Sequence, residues 1–291
     1  MTLLAIAFVA ALGGAVNSIA GGGTLLTFPS LIALGIPPIV ANATSTVALW
    51  PGALASMWGY RRQLAGARAW AIRFAIPSLV GGLAGALLLL RTSPDRFSLI
   101  VPWLVLGATL LFMAQGPVME RLRRRRAAAL AATPGARVPG AGANPAAPAA
   151  IPDAWSAAVA GNPGPRAADE PLPPPPLSFL FYQFLVGIYG GYFGAGVGIL
   201  MLAALGMMGL VNIHRMNGLK NWGGLCMNAV AAVTFTISGL VDWPVALAMA
   251  VGAIVGGYGG ARVAQRVGQT PVRRAIIVIG FLSTIWLAFG R

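Results

Sequence analysis

Acidic side chains are what this chain has least of. Of 291 residues only six are Asp or Glu, one is His, one is Cys, and charged residues of both signs make up 9%. A soluble protein of this length covers its surface with about a quarter charged residues, so this surface must face something apolar. The single Cys226 excludes a disulfide within the chain and, inside an apolar stretch, reads as a packing residue. All six acids (Asp95, Glu120, Asp153, Asp169, Glu170 and Asp242) fall in loops, in a linker or at span ends. That leaves no carboxylate for a membrane-embedded proton relay or for a charged cation site. One His, one Cys and no embedded acid offer little to ligate a metal or act as a general base. An enzyme, a metal site and any other cofactor are therefore not expected.

What the chain does have is apolar length. Hydrophobic residues make up 57% and the mean hydropathy is +0.78. Segments 72–90, 97–115, 244–261 and 275–289 are long and apolar, without the alternation a membrane barrel requires. The expected fold is all-α, a polytopic transmembrane helical bundle. Met1 is followed directly by apolar sequence with no charged region, so the start reads as a first membrane segment rather than a signal peptide. The net charge of +14 could suggest nucleic acid, but the arginines lie in loops beside spans, densest at Arg121 and Arg123 to Arg126. Cationic loops stay cytoplasmic, so orientation in a membrane explains this charge and no nucleic-acid partner is expected.

The pattern divides the chain into 1–115, 116–177 and 178–291. The middle part is rich in Ala, Pro, Gly and Arg and ends in Pro173 to Pro176, a composition expected of a disordered linker. The flanking parts align. Gly14, Gly21, Gly23, Gly66 and Trp70 fall on Gly187, Gly194, Gly196, Gly239 and Trp243. With small slips, Val80-Gly81-Gly82 falls on Val255-Gly256-Gly257, Arg91 on Arg266, Pro94 on Pro271 and Arg96 on Arg273. Loop 59–73 carries Arg61, Arg62, Arg68 and Arg73 while its counterpart 238–243 carries only Asp242. The counterpart of the lightly charged loop 91–96 is the arginine-rich loop 262–274. The cationic loop swaps between halves, which predicts two inverted-topology repeats in the cell inner membrane. The linker would then be cytoplasmic and both termini outside.

Each half opens with an apolar pair broken by glycines, at Gly21-Gly22-Gly23-Thr24 and at Gly194-Ala195-Gly196-Val197-Gly198. The segments after the breaks are too short to cross a hydrocarbon core of about 30 Å. Short interrupted segments at matching positions point to a transport site between repeats. A helix beginning after the break would aim free N–H groups at it, which suits an anion. The plainer alternative is close helix packing at small residues. The next helices carry polar stripes: Asn42, Thr44, Ser45, Thr46 and Ser56 in the first half, and Asn217, Lys220, Asn221 and Asn228 in the second. Such stripes line a wet cavity or hydrogen-bond between helices. Lys220, the only lysine, either neutralises a bound anion or snorkels to the interface. Arg215 reads as a cytoplasmic anchor, His214 as an interfacial residue, and Trp70 and Trp243 as interface-belt anchors.

The stretches GGAVNSIAGGGTLLTFPSLIALGIPP and ANATSTVALWPGALASMWGYRR resemble the first half of the TauE/SafE sulfite exporter family. YGGYFGAGVGILMLAALG, HRMNGLKN and GLVDW resemble its second half. The resemblance covers both halves and not the linker. It implies a permease without enzymatic activity that moves sulfite or small organosulfonates, usually outward. Its glycine-rich loops and polar helix starts map onto Gly21, Gly22, Gly23, Thr24, Asn42, Thr44, Ser45, Thr46, Gly194, Gly196, Gly198, Asn217, Lys220 and Asn221. The second half has Asn217-Gly218 in place of Thr44-Ser45, so the two half-sites are expected to be chemically unequal. The expected function is transport of a small anion by alternating access, with membrane lipid as the surrounding partner. An anion channel and a non-transporting membrane partner protein are the alternatives. Oligomeric state, coupling ion and the number of crossings per half stay open at this point.

Overall fold

A computed structural model describes residues 2–19, 21–64, 68–131, 174–208, 210, 213–264 and 270–289. Every regular element among them is helical. The first half holds α1 (Thr2–Ile19), α2 (Thr24–Ala33), α3 (Pro38–Tyr60), a 3-10 turn (Arg61–Leu64), α4 (Arg68–Leu90) and α5 (Pro94–Ala131). The second holds α6 (Leu177–Tyr192), α7 (Val197–Met207), α8 (Ile213–Ile237), α9 (Trp243–Ala264) and α10 (Thr270–Phe289).

Trp70–Leu90, Pro94–Ala114 and Trp243–Arg262 are long and apolar enough to span a membrane. Their few charged residues, such as Arg73, Asp95, Arg96 and Arg262, lie near the span ends, and the long apolar stretch between favours lipid. The outward faces agree: Leu4, Leu99, Val255, Leu282 and Phe289 are all exposed, an arrangement that only an apolar solvent makes cheap. α3 and α8 are also long, at 23 and 25 residues, and their polar stripes lower their hydropathy.

α5 runs unbroken to Ala131, past the boundary at 116 where composition alone starts a linker. Met, Glu, Leu, Arg and Ala between 118 and 131 are all strong helix formers, so helical propensity carries α5 onward after the apolar pattern stops. Of the segment 116–177, residues 132–173 lie outside the described residues.

The glycine-broken pairs fold back on themselves. Thr27 of α2 lies against Gly13 of α1, whereas one continuous helix would hold those residues about 21 Å apart. In the second pair the Tyr182 hydroxyl donates to the Leu200 carbonyl at 3.2 Å, and the Tyr189 hydroxyl to the Ala195 carbonyl at 2.7 Å. Both are thus helical hairpins, and each tip uses a left-handed glycine, Gly21 at φ +81° and Gly194 at φ +79°. A side chain with a Cβ would strain either tip.

The halves interlock reciprocally. α1 packs on α9, with Ala7, Ala11 and Ala15 in register with Gly252, Gly256 and Gly260. α4 packs on α6, with Gly81 and Gly85 meeting Gly187 and Ile188. Any Cβ at these glycines would overlap the facing backbone, so the close approach depends on the small residues. The registers show α1, α3 and α9 running one way and α4, α6 and α8 the other. The leading helices of the two halves, α1 and α6, therefore point in opposite directions.

Two apolar clusters fill the interior. One centres on Phe28, Phe97, Phe112, Phe193 and Phe235; the other holds Trp70, Phe74, Phe179, Met201 and Met227. Trp70 corrects the sequence reading. It is 3% exposed and its ring lies tilted against that of Phe179 at 5.4 Å, so it is a core residue rather than a belt anchor. Trp243, 47% exposed, has the accessibility a belt anchor needs.

Candidate functional site

The two hairpin tips touch. A Cβ on Gly21 would sit 2.5 Å from the Cα of Gly198, so the backbone of one break rests on that of the other. α5 braces both: Phe112 packs on Gly22, and Ala108 on Gly196. Broken backbone is tolerable at membrane depth only where protein surrounds it, and here each break is covered by the other and by α5.

Beside this contact lies a cavity of about 20 Å³, room for one water-sized body. Its polar wall is Asn17, Lys220, Asn221 and Asn228; its apolar wall is Ala53, Val197 and Met201, with Gly21, Gly198 and Gly224 completing it. Lys220, Gly224 and Asn228 follow one another at steps of four along α8, and Asn221 lies three before Gly224, which places them on one side of the helix. Lys220 is 2% exposed, so it does not snorkel. Its ammonium donates to the Asn17 and Ser18 carbonyls, both at 3.1 Å.

Those two carbonyls lie in the last turn of α1, where the negative end of the helix dipole favours a cation; the Asn17 carbonyl also accepts the Gly21 N–H at 3.0 Å. An ammonium has three donors, and two are taken by α1. Asn221 is held by a neighbouring chain of bonds: its amide donates to Ser56 Oγ at 3.0 Å, and Ser56 Oγ to Ser18 Oγ at 2.8 Å. A charge at the centre of a membrane helix costs about 2.5–3.5 kcal/mol, and a helix end returns at most about 2 kcal/mol of that.

The expected site residues other than Asn217 divide into three groups. Gly21, Gly198, Lys220 and Asn221 come together around the cavity. Gly22, Gly23, Thr24, Gly194 and Gly196 shape the hairpin tips, Gly23 against Gly13 and Thr24 as the first residue of α2. The first-half stripe is spent on structure. Asn42 Nδ2 donates to the Tyr192 carbonyl at 3.0 Å, and Thr44 Oγ1 accepts from the Asp242 N–H at 3.0 Å. Ser45 Oγ pairs with Thr27 Oγ1 at 2.6 Å, and Thr46 Oγ1 donates to the Asn42 carbonyl at 2.9 Å. Asn217 is buried, and its Oδ1, like that of Asn42, has no hydrogen-bond partner. Arg215 is 6% exposed; the side chain of His214 lies outside the described residues.

Sequence reasoning did not single out Asn17, Ser18, Met201 or Gly224 as part of the site. Asn17 and Ser18 had a readable signal, since they are the only polar pair in α1 and directly precede its break. Gly224 had none, because nothing in a glycine-rich chain marks one helical glycine apart from the rest.

Comparison with known proteins agrees with this architecture. The family model described as Sulfite exporter TauE/SafE matches residues 6–287. A "Probable membrane transporter protein" of Haemophilus influenzae is 25% identical over 297 residues, covering 99% of this chain and 96% of that protein. The "Probable membrane transporter protein YfcA" of Escherichia coli K12 is 27% identical, covering 97% of this chain and 88% of the relative. The "Probable membrane transporter protein ORF9" of a Sinorhizobium species is 26% identical, at 98% and 92% coverage. No solved structure matches the chain. With nearly its whole length matched, this helical membrane protein belongs to the TauE/SafE sulfite exporter family, a family of transporters and not of enzymes.

Proposed function

We propose that the protein carries a small anion, sulfite or an organosulfonate, across the cell inner membrane by alternating access between two inverted repeats. The observation that carries the reading is the ammonium of Lys220, buried where the two helix breaks meet. Reciprocal packing of α1 on α9 and α4 on α6, with α1 and α6 opposed, supports the inverted repeat. A cavity of about 20 Å³ is too small for a four-atom oxoanion and supports a closed state, from which one hairpin must withdraw for substrate to enter. With 116–177 cytoplasmic and both termini outside, the inside-negative potential drives an anion outward by about 2.3 kcal/mol per charge per 100 mV. No coupling ion is then required.

The test is flux of radiolabelled sulfite and alkanesulfonates in proteoliposomes of the purified protein, with an imposed potential of either sign. Saturable flux that follows the potential is expected. Absence of flux at both polarities contradicts the permease reading, and currents too fast for a conformational cycle contradict alternating access.

A further inference from the structure

Most helical glycines in this protein have a packing reason. Beside Lys220, Gly223 is one: a Cβ there would strike the Phe74 ring. Gly224, the next residue, is not. A Cβ on Gly224 meets no atom within 4 Å, and its φ is ordinary. Neither contact nor backbone therefore calls for glycine, although a glycine in mid-helix destabilises the helix relative to alanine. Among the described helical glycines with open space at Cβ (Gly107, Gly224 and Gly259), Gly224 alone lines the polar cavity. It shares the helix face of Lys220, and it lines the same cavity as Ala53, Val197 and Met201.

We propose that Gly224 is a specificity-determining residue, its missing side chain holding open the space taken by the substituent of the transported anion. The inference rests on the permease reading of the same cavity. The charged head is held by Lys220, Asn221 and Asn228, and a short apolar tail lies over Gly224 toward Met201. A methyl group at 224 shortens the tail the site accepts and leaves the head contacts in place. The favoured substrate class is an anion with one compact charged group and one small apolar substituent.

The experiment is competitive flux of sulfite, methanesulfonate and butanesulfonate in proteoliposomes for the parent protein, Gly224→Ala and Gly224→Val, with Gly107→Ala as a helix-glycine control away from the cavity. Sulfite flux within threefold of the parent is expected in Gly224→Ala. The KM for the substituted anions should rise tenfold or more, the longer tail more strongly, while kcat stays close. Gly107→Ala should leave the profile unchanged. Alanine favours a helix, so Gly224→Ala tests the idea even where the valine variant fails to insert. Equal loss for all three anions, or an unchanged size profile, overturns the role of Gly224 and leaves the permease reading standing. A parent that carries sulfite and rejects methanesulfonate overturns it likewise. A parent that moves no anion overturns both.

Discussion

The two halves end their first helices in the same way and cap them differently. α1 and α6 both stop at a buried glycine tip, and a polar side chain from the other half's long helix donates to carbonyls of the last turn. α6 is capped by the neutral Asn42 amide at 3.0 Å, α1 by the Lys220 ammonium at 3.1 Å. Counted from their helix starts, Ser45 of α3 and Lys220 of α8 occupy the same place. Ser45 is bonded to Thr27, and nearby Phe28 meets Phe193 edge to face at 5.3 Å. One half thus sets a charge at a small polar cavity, the other a neutral hydroxyl pair beside an aromatic contact. Like architecture with unlike chemistry is what makes the proposed anion site single and off the centre.

Breaking the comparison at its charged side should have the largest effect. Lys220→Met should lower anion flux at least a hundredfold, about 2.7 kcal/mol of lost stabilisation, with little loss of folded protein, measured as initial uptake in proteoliposomes. Adding Ser45→Lys to that variant should not restore flux, because the pocket beside its partner Thr27 is walled mainly by apolar side chains. The next effect is on stability. Trp70→Ala should cost about 3–5 kcal/mol, seen as a lowered unfolding midpoint in detergent, with flux per folded molecule unchanged. The exposed counterpart Trp243→Ala should shift that midpoint far less. Asn42→Ala leaves the Tyr192 carbonyl uncapped and should cost about 1–3 kcal/mol in the same assay. Ser56→Ala cuts the chain from Ser18 to Asn221 and should cost about 0.5–1.5 kcal/mol, with a several-fold rise in KM.

Much of this was legible in the sequence, for reasons that differ by element. The spans were readable because lipid demands long apolar runs, and the breaks because glycines interrupt those runs at matching places. Fold-back of the hairpins was not readable, since the same tract suits two crossings or one re-entrant pair until Thr27 is seen against Gly13. Trp70 looked like Trp243 because both sit at loop edges, and only tertiary packing on Phe179 separates them. The polar stripes were found as stripes, yet several of their partners lie more than a hundred residues away, as Tyr192 does from Asn42. Periodicity says which face is polar and not whether that face meets a carbonyl or an open space.

The most direct measurement is calorimetric binding of sulfite to the detergent-solubilised protein and to Lys220→Met at matched folded concentration. Saturable binding by the parent, weakened tenfold or more by the substitution, is the predicted result. Equal binding by both proteins contradicts the placement of the anion at Lys220.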